Sequence, residues 1–193
     1  MLVAHLAPGY FAAVKSKPTW QPQWGKGRRA LLWATALGST VAPDLDVIYN
    51  TLWRGFFDHS ILWPHSLFPH LAVGLVWWLL RRVGRWPYGQ TLAGLAAIGG
   101  LSHLALDVFV HGTPLLYPFS MQMFDVVATR VVQGDIRAYV TAPIFLCEPL
   151  ALALMALHWT LDRNLKPRVR AFVLKATLGG FVLFAGTFLL FLT

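Results

Sequence analysis

Three side chains able to bind a metal stand four residues apart in one apolar run. They are His103, Asp107 and His111, within Ser102-His103-Leu104-Ala105-Leu106-Asp107-Val108-Phe109-Val110-His111. On a helix, residues four apart share a face, so the three form a stripe about 12 Å long at ~1.5 Å rise per residue. A carboxylate in that setting costs ~2.5–3.5 kcal/mol if the run lies in lipid, and a bound cation is the natural compensation. Three other pieces carry the same residue types. His5 stands in an N-terminal run otherwise free of charge. Asp44 and Asp46 follow Pro43, which disfavours helix for Ala42; in an extended chain, period two points both carboxylates the same way. Asp58-His59-Ser60-Ile61-Leu62-Trp63-Pro64-His65-Ser66 supplies two histidines and a carboxylate.

Imidazole nitrogens combined with carboxylate oxygens suit zinc, and also manganese or iron(II), whereas magnesium and calcium prefer an all-oxygen shell. The number of candidate ligands makes two metals bridged by a carboxylate feasible. Such a site generates hydroxide near neutral pH and clamps the oxygens of a phosphoryl or carbonyl group. Spare imidazoles or carboxylates would orient ligands from behind or move protons. Asp44 and Asp46 might be read as helix caps, but two adjacent carboxylates raise each other's pKa unless a cation or donors intervene. His70 reads as a packed or interfacial histidine. Glu148, beside Pro149, either bonds a freed backbone group in a kinked helix or serves the site.

The elements that must position these residues are apolar. Of 193 residues, 56% are hydrophobic and only 12% charged, against about 25% charged in ordinary soluble domains. The expected fold is all-α: a polytopic transmembrane helical bundle of about five or six helices, some short or partly inserted, forming a single integral membrane domain over 1–193. Apolar runs fall at roughly 1–14, 30–43, 67–80, 89–111, 138–161 and 171–192, of which the last three approach the ~20 residues a span needs. The single Cys147 excludes an internal disulfide and a thiolate cluster. With no basic stretch ahead of the apolar start, no cleavable signal is expected.

The net charge of +8 is concentrated in three linkers: Lys15 to Arg29, Arg81 to Arg85, and Arg163 to Arg170. If each run crosses once, all three fall on one side, which the positive-inside rule makes cytoplasmic. Positive-inside topology explains that pattern better than a nucleic-acid surface does, and no nucleic-acid partner is expected. It also sends His5, His59, His65, His70, His103, His111 and Asp44, Asp46, Asp58, Asp107 toward the opposite face. Trp20, Trp24, Trp53 and Trp63, outside or beside the runs, read as an interfacial aromatic belt.

Taken in order, these motifs resemble the YdjM-like family of predicted membrane-bound metal-dependent hydrolases. The shared elements are the early His5, the small-residue helix ending Ala42-Pro43-Asp44-Leu45-Asp46, His65-Ser66, Ser102-His103-x-x-x-Asp107 and Gly112-Thr113-Pro114-Leu115-Leu116-Tyr117-Pro118-Phe119-Ser120, all within 1–120. The family commonly has His-Arg-Gly-x-Thr-His-Ser, whereas here Ser60 follows His59 and the spacing to His65 is one residue longer; Asp58 is an alternative ligand there. The order His, Asp, His, His-x-x-x-Asp is also distantly similar to the zinc-dependent phospholipase C superfamily. That similarity implies His5, Asp44 or Asp46, His65, His103 and Asp107 as ligands, with His111 a later one. His59 completes the ligand candidates, and Asp46, Asp58 and His59 are the candidates for catalytic proton transfer.

The function so implied is an integral membrane hydrolase holding one or more divalent ions, most simply Zn2+ with Mn2+ or Fe2+ as alternatives. It would cleave a phosphoester of a membrane lipid or other amphipathic substrate through metal-activated water. An amide or ester bond would use the same machinery. The expected location is the cytoplasmic (inner) membrane of a prokaryote, with the site facing the non-cytoplasmic side. Two other classes compete. A divalent-cation transporter would place its ligands at the midplane of repeated halves, and the chain shows no repeat. A non-catalytic membrane protein with a structural metal would show a closed ligand shell.

Overall fold

The computed structural model describes residues 3–55, 63–126, 136–161 and 166–192. All regular structure there is helical: α1 (Val3–Ser16), α2 (Lys26–Gly38), α3 (Asp46–Tyr49), α4 (Leu67–Val83), α5 (Pro87–Val110), α6 (Ile136–Thr141), α7 (Cys147–Leu161) and α8 (Pro167–Leu192), with short 3-10 turns and one π-helical turn between them. Among the described residues three segments are long and apolar enough to cross a membrane: Pro87–Val110, Ile144–Leu161 and Pro167–Leu190. They coincide with the three longest apolar runs. The chain divides into two compact units, Pro8–Gly134 and Met1–Ala7 with Asp135–Thr193.

In the unit Pro8–Gly134, α5 is the central element. Half of its apolar window is buried inside the protein, because small residues on it let neighbours approach. A side chain at Gly99 would overlap Ser39, just past α2, and one at Gly100 would overlap the His70 ring on α4. His70 is therefore the packed histidine that was expected, its Nε2 also 2.8 Å from the Pro64 carbonyl oxygen. Gly84 closes α4 in the left-handed conformation (φ 66°), its amide shared by the Leu80 and Arg81 carbonyls. Pro87 then opens α5, at a first-turn position where a missing N–H costs nothing.

The core of this unit contains Ala13, Trp20, Trp24, Leu32, Ala36 and Leu95. Trp24 meets Tyr88 edge-on at 5.3 Å, and Trp20 meets Trp33 at 6.1 Å. This corrects the reading of Trp20 and Trp24 as belt residues. The basic linker folds back through a 3-10 turn at Lys17–Thr19, which brings both indoles onto α2 and α5. Trp53 and Trp63 remain exposed.

The fit at Gly100 has a measurable consequence. Gly100→Ala must displace His70 and is expected to destabilise the protein by about 1–3 kcal/mol. Gly74→Ala, on α4 with open space around it, should be neutral or stabilising, since alanine favours helix over glycine by about 1 kcal/mol. Thermal unfolding in detergent compares the two, and equal effects would contradict the close approach.

In the second unit, Phe145 meets Phe184 edge-on at 5.5 Å, seating α8 against the turn that precedes α7. Only 6% of the apolar window of α8 is buried inside the protein, the arrangement of a helix that faces lipid. Glu148, in the first turn of α7, accepts a hydrogen bond from the Ala4 amide at 2.8 Å. It satisfies a backbone donor in the first turn of α1, where an α-helix leaves amides without intrahelical partners.

Candidate metal centre

The last two turns of α5 carry His103 and Asp107 into the protein interior, both with negligible exposure. Their spacing of four brings His103 Nε2 to 3.0 Å from Asp107 Oδ2. The chain leaving α2 adds Asp44 through a different geometry from the extended one expected. Ala42 is helical (φ −58°, ψ −37°), and Pro43–Leu45 form a 3-10 turn leading directly into α3. The reason is local: the Ala42 amide still donates back to the Gly38 carbonyl at 2.8 Å, so the helical path continues until Pro43 starts a new turn. Asp44 and Asp46 therefore do not share one side of a strand, and they reach different atoms of the same histidine.

That histidine is His65, in the 3-10 turn Trp63–His65 ahead of α4. Its Nε2 lies 3.5 Å from Asp44 Oδ1 and 3.5 Å from Asp107 Oδ2, and 3.3 Å from His103 Nε2. Its Nδ1 lies 3.2 Å from Asp46 Oδ2 on the far side of the ring. His103 is oriented likewise: Nδ1 is 2.8 Å from the Thr40 carbonyl oxygen, which can only accept, so Nδ1 carries the proton and Nε2 presents a lone pair. His103 Nε2 is also 3.5 Å from Asp44 Oδ1. Among the described residues, Asp44, His65, His103 and Asp107 thus each bring one donor atom within 4.8 Å of the others.

These distances fit a metal. Tetrahedral zinc at ~2.0–2.2 Å from nitrogen and oxygen ligands needs donor-to-donor edges of about 3.3–3.6 Å, and the five edges above run from 3.0 to 3.5 Å. Two imidazole nitrogens facing each other at 3.3 Å, among carboxylates, require positive charge between them. Without a metal a proton takes that place. Burial works against a charge on His65, but its hydrogen bonds to Asp44 and Asp46 and the charges of Asp107 and Asp46 outweigh it, and its pKa is pushed up to about 9. A divalent ion would take the place of that proton, since a ligating imidazole is neutral, and its charge would answer the carboxylates of Asp44, Asp46 and Asp107.

Around this group the protein fixes His65, His103 and Asp107 from behind. His111 faces the second oxygen of Asp107, with Nε2 3.3 Å from Oδ1, and its Nδ1 lies 2.8 Å from the Gly112 carbonyl. The Thr113 hydroxyl donates to the His65 carbonyl at 3.0 Å, and the Leu67 amide donates to the Leu115 carbonyl at 2.8 Å. The Gly112-Thr113-Pro114-Leu115 stretch therefore latches the His65 turn to the end of α5. Asn50, fully buried one helical turn after Asp46, was not singled out from the sequence, although its spacing of four from Asp46 repeats that of His103 and Asp107. The Thr40 carbonyl carries no residue-type signal at all.

Of the other site residues expected from the sequence, Asp46 stands against Nδ1 of His65 and lies outside the four-donor group. His5 is buried on α1 in the other unit, on the turn held by Glu148. Asp58 and His59 lie outside the described residues. Neither the curated proteins nor the solved structures hold a significant match to this chain. A family model described as YdjM inner membrane protein matches residues 1–186, and the chain, all-helical with three apolar spans and a buried His/Asp group, belongs to that family.

Proposed function

We propose that this protein is a metal-dependent hydrolase of the inner membrane. It cleaves a phosphoester of a membrane lipid or another amphipathic substrate at the non-cytoplasmic face. The observation that carries the reading is the gathering of two imidazole nitrogens and two carboxylate oxygens within 4.8 Å of one another at one end of a candidate spanning helix. Zinc fits that donor set best, and manganese or iron(II) fit it as well. A bound ion of this kind supplies Lewis acidity toward a phosphoryl oxygen and lowers the pKa of water to near neutrality.

The chain's own residues prepare that chemistry. Asp46 and the Thr40 carbonyl set the two imidazoles, and His111 steadies Asp107. Asp44 is 26% exposed where His65, His103 and Asp107 are at most 1%, so it marks the open side from which a substrate oxygen approaches. Lys15 and Arg81 gather near the start of α5, while His103 and Asp107 lie near its end. By the positive-inside rule the metal end is then non-cytoplasmic, where a lipid phosphoester is within reach.

A second reading has one specific support: four protein donors also define a closed structural zinc site. Cation transport has less, because the donors sit at an end of α5 and not at its middle. Purified protein loaded with zinc should turn over a member of a panel of phospholipids and isoprenoid phosphates, and a chelator should stop it. Stoichiometric metal with no turnover across the panel would favour the structural reading.

A further inference from the structure

We propose that a second site, at the opposite end of α5 from the metal centre, binds the phosphate headgroup of an anionic phospholipid. A cavity of about 600 Å³ opens there between the end of α1, the end of α4 and the start of α5, within the ~300–1,000 Å³ typical of ligand pockets. Lys15 and Arg81 are among its lining residues, and no carboxylate lines it. Arg81 lies 5.4 Å over the ring of Trp77, itself a lining residue, which holds the guanidinium beside the cavity. Among the described residues neither cation is drawn into an ion pair. The same lining carries apolar surface from Trp24, Trp77, Leu95 and the half-exposed Ile98.

A lining that joins two cations to aromatic and aliphatic surface suits an amphiphile with an anionic head, as an acidic phospholipid is. A free phosphate would use the two cations alone and leave the indole and leucine surface uncovered, so the lining favours the lipid. Basic pockets between membrane helices on the cytoplasmic side bind anionic headgroups in this way, and this is the end that the basic linkers mark as cytoplasmic. From Gln90 on the cavity wall to His103, α5 climbs roughly 20 Å at ~1.5 Å per residue. The two sites share no ligand, and this lipid is not the substrate of the metal centre.

The test uses the full chain in detergent, with phosphatidylglycerol, phosphatidylcholine and inorganic phosphate as probes and native mass spectrometry as readout. Phosphatidylglycerol should be retained in preference to phosphatidylcholine. The double variant Lys15→Gln/Arg81→Gln should weaken it about thirtyfold, at roughly fivefold per charge. Both side chains are exposed, so thermal unfolding should stay unchanged. Arg82→Gln removes a neighbouring charge that stacks on Trp78 at 5.2 Å and lies off the cavity; its effect should be much smaller. Equal retention of both lipids, an unchanged double variant, or an equal loss in Arg82→Gln would overturn the site. Displacement of the lipid by inorganic phosphate at the same concentration would make it a soluble-phosphate site and overturn the lipid assignment.

Discussion

Asp107→Ala should lose the bound cation. Asp107 uses both oxygens: Oδ2 faces His103 and His65, and Oδ1 faces His111. Its removal opens the four-donor group and leaves two imidazole nitrogens 3.3 Å apart with one carboxylate fewer to balance an ion. Affinity should fall by roughly a thousandfold or more, beyond the 10–100-fold typical of partners that stand behind a ligand. Turnover of any lipid phosphoester should fall to background with it. Asp107→Asn separates the causes, because it keeps the shape and removes the charge; it should also fail to hold the ion. Metal analysis after dialysis reads both, and full metal content in the alanine variant would remove Asp107 from the centre.

For Asp46→Asn the expected loss is smaller and different in kind. Asp46 meets His65 at Nδ1, 3.2 Å away, while the cluster lies at Nε2. Its carboxylate holds the proton on Nδ1 and so keeps the Nε2 lone pair aimed inward, the arrangement by which carboxylates tune metal-bound histidines. An asparagine has no charge and can turn its NH2 toward Nδ1, favouring the wrong tautomer. Cation affinity should drop about 10–100-fold, with the stoichiometry at saturation unchanged. A loss as large as that of Asp107→Ala would instead make Asp46 a direct ligand. Isothermal titration with zinc across wild type and both variants gives the comparison.

Which residues would meet was legible wherever the chain states a period. His103, Asp107 and His111 are four apart on an uninterrupted apolar helix, and no tertiary contact is needed to place them on one face. The span lengths were equally plain, since an apolar run near 20 residues has few other uses. Asp44 was identified by residue type, but its conformation was not. Pro43 argued for an extended chain, and the bond from the Ala42 amide to Gly38 overrode that local preference. The indoles of Trp20 and Trp24 misled for a related reason: a basic linker looks interfacial in one dimension, and only its turn at Lys17–Thr19 shows that it folds inward.

Composition and spacing by themselves determined that this chain is a helical membrane protein whose histidines and aspartates call for a compensating charge, because burying such groups in apolar helices is unfavourable unless charge answers charge. Only the folded chain decided the division of labour among them. Asp44 and Asp107 face the centre while Asp46 stands behind His65, and a threonine carbonyl fixes the tautomer of His103. The physical reason is that a ligand's role depends on which atom it points at and from which side. Directions at the ends of separate helices are set by packing, by the small residues at Gly99 and Gly100 and by the latch at Thr113, and residue types in a row do not encode them.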